Sequence, residues 1–131
     1  MKKLIVILSI CVSSFVWAHG GTGPNAAKEW LHIIDAGKYA ESWNKADAFF
    51  KVQLTQDKWK DALNGVRAPL GKVISRSELS SKHHSSLPGA PDGEYLVIQY
   101  QTEFQNKKTS IETLTLSKSS GHWLAVGYFI K

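Results

Sequence analysis

Gly93-Glu94-Tyr95-Leu96-Val97-Ile98-Gln99-Tyr100-Gln101-Thr102-Glu103-Phe104 is the clearest strand in the chain. Leu96, Ile98, Tyr100 and Phe104 share one face, and Gln99, Gln101 and Glu103 share the other. A period of two over a run rich in aromatic and branched residues marks a half-buried strand. Its apolar face is expected to carry the core. Tyr100 on that face brings a hydroxyl that needs a partner indoors, which makes it the best pointer to a polar spot inside the fold.

Working outward, Asn106-Lys107 reads as a hairpin turn, Thr109 to Lys118 as the next strand, and Ser119-Ser120-Gly121 as the turn into a last strand, His122 to Ile130. On the other side, Leu87 to Gly93 is a loop with a Pro-Asp-Gly turn signal, preceded by a weaker strand from Lys72 to about Lys82. Connections this short make antiparallel neighbours. The last strand is apolar on both faces, with Leu124, Val126, Tyr128 and Ile130 on one and Trp123, Ala125, Gly127 and Phe129 on the other. A sheet with one solvated face does not require that. A second copy of the chain is the expected cover, with Trp123, Ala125, Phe129, Tyr95 and Val97 as interface candidates in a homodimer.

Three helices are expected upstream. The first opens at Pro24 or Asn25, carries Ala27, Trp30, Leu31 and Ile34 at helical spacing, and ends at Gly37. The second runs from about Tyr39 to Phe50. The third is capped by Thr55 and buries Trp59, Ala62, Leu63 and Val66. Arg67 to Gly71 must then be extended or turned, because the residue before Pro69 avoids the helical region. The resulting fold class is α+β: three N-terminal helices packed on a curved antiparallel four-stranded sheet.

Residues 1–18 read as a cleaved signal peptide. Lys2 and Lys3 precede the apolar run Leu4 to Val16, and Val16-Trp17-Ala18 places small residues where signal peptidase reads. The run is shorter than the roughly 20 residues a spanning helix needs. The expected mature chain is a glycine-rich flexible lead-in, 19–25, and a single domain, 26–131. It is expected to be periplasmic or secreted, with no membrane contact after cleavage. Cys11, the only cysteine, leaves with the signal, which removes disulfides and thiolate chemistry. Of the formal +5 charge, two units belong to Lys2 and Lys3, and the other lysines are interleaved with acids. No clustered basic stripe suggests nucleic acid.

Trp30-Leu31, Ile34-Asp35-Ala36-Gly37-Lys38-Tyr39 and Ser42-Trp43 resemble the helical half of the secreted bacterial family called domain of unknown function 4019. Arg67 to Gly71 resembles that family's helix-to-sheet joint. Leu87 to Tyr95, Glu112 to Leu116 and Val126 to Ile130 resemble its sheet half. The resemblance covers nearly all of the mature chain. It implies a cone-shaped fold similar to nuclear transport factor 2-like proteins, and no catalytic residues. That superfold hosts enzymes, ligand binders and dimerisation modules alike.

Candidate ligand-pocket residues are Tyr100, Arg76, Arg67, Asp35 and His32. His32 and Asp35 are three apart on a helix and could form an acid–base dyad, although the apolar stripe of that helix points away from His32. Arg67 and Arg76, the only arginines, could grip a carboxylate. Equally, Arg67 could satisfy carbonyls at a helix end and Arg76 could pair with Glu78 or Glu103. His83-His84 is expected in a surface loop. His19, if N-terminal, could contribute to a copper brace, but no motif-grade metal set accompanies it, and no cofactor is expected. The leading reading is a non-enzymatic module that dimerises or binds a small molecule or peptide. The alternative is an isomerase- or dehydratase-type enzyme using Asp35–His32 or Tyr100–Arg76.

Overall fold

Thr22 starts the helical half: its hydroxyl accepts the Asn25 N–H at 3.3 Å, and Pro24 supplies a preset turn inside the first helix. In the computed structural model, which describes residues 21–131, α1 spans Gly23–Asp35. Residues 1–18, read above as a signal peptide, and His19 lie outside the described residues. The helix thus opens at Gly23, one residue ahead of the expected start at Pro24 or Asn25 and inside the segment 19–25 read as lead-in, and Gly23 is buried against Leu96 and Trp123. The helix stops at Gly37, whose φ of +74° lets the chain reverse while its N–H bonds the Ile34 carbonyl.

The segment expected as one helix from Tyr39 to Phe50 is two, α2 (Tyr39–Asn44) and α3 (Ala48–Gln53). Asp47 makes the break. Its backbone is extended, its carboxylate accepts the Phe49 N–H at 2.9 Å, and its own N–H donates to the Ala125 carbonyl at 2.8 Å. Its second oxygen accepts from Ser119 Oγ at 3.1 Å. An aspartate that can cap locally competes with helix continuation, and here the cap also ties the helices to the sheet. Thr55 caps α4 (Gln56–Val66) as expected, through the Lys58 N–H. Trp59 and Leu63 are buried, but Ala62 and Val66 are exposed, so the buried stripe of α4 is narrower than its sequence suggested. Ala68–Leu70 is a single 3-10 turn.

The sheet is a meander in the order β1 (Val73–His84), β2 (Tyr95–Phe104), β3 (Lys107–Ser117), β4 (Leu124–Ile130), all antiparallel. With the helices it makes the expected α+β arrangement. His83 and His84, expected in a loop, are strand residues opposite Leu96 and Tyr95. Leu96, Ile98, Tyr100 and Phe104 face inward as their alternation required. Leu96, Ile98 and Tyr100 join Leu114 and Leu116 of β3 and the Ala27, Trp30, Leu31, Ile34 stripe of α1 in one core cluster. Ser42 gathers two tryptophans: its carbonyl accepts Trp30 Nε1 and its hydroxyl accepts Trp59 Nε1, both at 2.9 Å. Among the described residues no helix is long and apolar enough to cross a membrane.

The two apolar faces of the last strand have an explanation within the chain. Ala125 pairs with Leu116 and Gly127 with Thr115, so β4 spends one residue more than β3 between these pairs. Such a bulge reverses the alternation. Trp123 and Ala125 face the core before it, and Tyr128 faces the core after it, stacked edge-on against Trp30 at 5.6 Å. Trp123, Ala125 and Tyr95 are therefore not free for a partner. Ala125 is 2% exposed, and the Tyr95 hydroxyl donates to the Pro91 carbonyl. Of the interface candidates, Val97 is half-buried and Phe129 stands 59% exposed on the outer face.

Asp47→Ala removes the cap of α3 and the Ser119 tie together, and should cost about 1–2 kcal/mol in urea unfolding. A loss below about 0.5 kcal/mol would mean that other contacts hold the helix break.

Candidate functional site

Glu112 is the one fully buried carboxylate among the described residues, at 0% exposure. It shares its strand face with Leu114 and Leu116, so it points into the core. Two carboxylate oxygens offer about four acceptor positions, and each is taken. Arg76 gives Nε to Oε1 at 2.7 Å and Nη2 to Oε2 at 3.1 Å. The Thr102 hydroxyl donates to Oε1 and the Tyr128 hydroxyl donates to Oε2. These donors come from β1, β2 and β4, so Glu112 on β3 collects all four strands.

Arg76 turns its other edge to the helices. Nη1 donates to Asp35 Oδ2 at 2.8 Å and Nη2 to Oδ1 at 3.0 Å, a two-point grip on the last residue of α1. Arg67 adds Nη2 to Asp35 Oδ1 at 3.3 Å and Nη1 to the Gly71 carbonyl at 2.6 Å. That carbonyl lies at the helix-to-sheet joint, where Gly71 has a φ of +77°. The Arg67 guanidinium covers the Phe104 ring at 4.6 Å, and that of Arg76 lies 6.0 Å from the Tyr100 ring. Two cations and two anions balance. Burial works against the charge on Arg76, but its bonds to Asp35 and Glu112 outweigh that and hold its proton more firmly than usual. Burial, then the Glu112 charge and the bond to it, push the Tyr128 hydroxyl far above its ordinary value.

Tyr100 lies beside this cluster without joining it. It is 3% exposed, and its hydroxyl has no hydrogen-bond partner among the described residues. Burial chiefly, with the nearby Glu78 and Glu112 charges, pushes it up to about 12, although Arg76 pulls the other way. At neutral pH it is a donor. With Pro24, Lys28, Arg76 and Glu78, it lines a cavity of about 230 Å³ between the start of α1 and the inner faces of β1 and β2.

The structure thus brings Tyr100, Arg76, Arg67 and Asp35 together and leaves His32 out. His32 is exposed, and both oxygens of Asp35 are held by arginines, so the dyad is not formed. Arg76 pairs with Asp35 and Glu112 rather than with Glu78 or Glu103. Arg67 does serve a carbonyl near its helix end, as one reading held. Glu112, Thr102, Tyr128, Lys28 and Glu78 were absent from the candidate residues. The signal for Glu112 was a carboxylate at the same strand parity as Leu114 and Leu116, which demands a buried cation.

Arg76→Leu leaves Glu112 buried without its cation and should destabilise by about 3–5 kcal/mol, whereas Arg76→Leu with Glu112→Leu should recover only part of that loss, because the Thr102 and Tyr128 hydroxyls then lose their acceptor. A double-mutant cycle by urea unfolding measures both, and additive losses would show the pair to be uncoupled. The raised Tyr100 value has a definite sign. The folded state keeps a proton that an unfolded tyrosine releases near 10, so this contribution is intact below pH 10 and is lost toward about 12. Relative to Tyr100→Phe, the protein should lose about 1.4 kcal/mol per pH unit across that window, and parallel stability curves would contradict it.

No curated protein gives a significant match to the chain. A family model does match, and it reaches from Ala26 in the first turn of α1 to Tyr128 in β4, so that it takes in the whole cluster and most of the cavity wall. With that match over residues 26–128, the chain belongs to the family described as Protein of unknown function (DUF4019).

Proposed function

We propose that this is a non-catalytic module, exported on its N-terminal signal, that holds a small polar ligand in the cavity beside Tyr100. The observation that carries the reading is the Tyr100 hydroxyl, buried and unpartnered on a residue that lines a cavity. Leaving a buried hydroxyl unsatisfied costs about 1–3 kcal/mol, and such groups are few in native proteins. A ligand acceptor reaching it would recover that cost as binding energy. The cavity is smaller than the roughly 300–1,000 Å³ of sites for drug-sized molecules, which suits a ligand of few atoms.

Acid–base catalysis of the isomerase or dehydratase type has less support. The Asp35–His32 pair that such a reading named is not formed, since both oxygens of Asp35 are engaged and His32 does not line the cavity. Self-association through the last strand also has less support, because Trp123 and Ala125 belong to the chain's own core. The Lys2–Ala18 pattern is what supports export.

A calorimetric and thermal-shift screen of small carboxylates, amino acids, amides and sugars tests the reading. At least one should raise the melting temperature, because a ligand bound only by the folded state adds about 2.7 kcal/mol at a hundred times its Kd. Tyr100→Phe should keep the fold and weaken that ligand at least about tenfold. Absence of any hit, or a hit indifferent to Tyr100→Phe, overturns it.

A further inference from the structure

Building on the ligand-holding reading, we infer that the cavity takes a zwitterion of amino-acid size, carboxylate inward and ammonium toward Glu78. Size comes first. A volume of about 230 Å³ falls below the roughly 300–1,000 Å³ of sites for drug-sized molecules, which suits a molecule as small as an amino acid.

Donor arithmetic selects one end of the ligand. A guanidinium has five N–H donors, and Arg76 commits four of them to Asp35 and Glu112. The uncommitted N–H is on Nη1. Arg76 and Tyr100 line the same cavity, and neither that N–H nor the Tyr100 hydroxyl has an acceptor among the described residues. A carboxylate presents two acceptor oxygens and satisfies both.

Charge selects the other end. The positive charges of Arg67 and Arg76 are matched by Asp35 and Glu112 within the cluster. The remaining charges on the cavity wall are one of each sign, Lys28 from α1 and Glu78 from β1. Neither joins an ion pair within 4.0 Å among the described residues. Glu78 is directly opposite Tyr100 in the β1–β2 register. A ligand whose carboxylate meets Tyr100 can therefore set an ammonium against Glu78, with Lys28 supporting the anionic end. A dicarboxylate would bring its second charge against Glu78, and an amine alone would leave the two donors unsatisfied. The Tyr100 hydroxyl is closed off at present. Entry passes the exposed side chains of Lys28 and Glu78.

The test is calorimetry with L-amino acids up to leucine in size, each beside the matching carboxylate without the amine and the matching amine without the carboxylate. The best amino acid should bind at least about tenfold more tightly than either relative, the scale of one charge-assisted hydrogen bond. Glu78→Gln on the exposed rim should abolish the preference over the simple carboxylate, and Tyr100→Phe should weaken both. Equal or tighter binding of the simple carboxylate or the amine, or a preference unchanged in Glu78→Gln, overturns the inference. If a ligand of another class binds and is lost in Tyr100→Phe, the zwitterion assignment falls while the ligand-holding reading stands. If nothing binds, both fall.

Discussion

The bond between Arg76 and Glu112 is what the remaining structure has to accommodate. A carboxylate moved from water into a protein interior incurs several kcal/mol even after relaxation, and Glu112 has no exposed surface to relieve it. Its compensation needs a cation on the same sheet face, donors for the remaining lone pairs, and a counter-anion for the far edge of the guanidinium. Those needs are met from β1, β2, β4 and α1 respectively. The inner sheet face and the end of α1 are thereby held by one charge-balanced net rather than by apolar packing alone.

That net constrains details that look local. Tyr128 reaches Glu112 only because β4 carries an extra residue before it: without the bulge near Val126, Tyr128 would fall on the outer face and Oε2 would lose a donor. On β1, Arg76 and Glu78 face inward between two irregularities, at Val73/Ser75 and Glu78/Ser80, which leave Ile74 and Leu79 exposed. Irregular strands commonly re-aim a side chain, and here they aim a cation on one edge strand and a hydroxyl on the other at the same carboxylate.

The sequence made the parts that depend on period and capping legible. Leu96, Ile98, Tyr100 and Phe104 declare their face by alternation, Thr22 and Thr55 lie at helix starts, and short turns order the meander. The parts that depend on a distant partner were not legible. Asp47 looks like an ordinary helix residue until Ala125 and Ser119 arrive beside it. A one-residue mismatch between β3 and β4 cannot be read from β4, where it imitates a strand with two apolar faces. Asp35 appeared free for His32 because nothing local announces two arginines from 32 and 41 residues away.

The isolation of Tyr100 follows from the same accounting. All four acceptor positions of Glu112 are filled, and both oxygens of Asp35 are taken. The Arg76 guanidinium, 6.0 Å from the Tyr100 ring, accepts nothing. Lys28 also only donates. Glu78 is the one carboxylate on the cavity wall, and it is exposed to water, where hydration satisfies it. A core that neutralises its buried acid so completely has no acceptor left for the hydroxyl beside it. Phenylalanine would fill that position without the cost of a stranded donor, so retaining the hydroxyl makes physical sense where an acceptor comes from outside the chain.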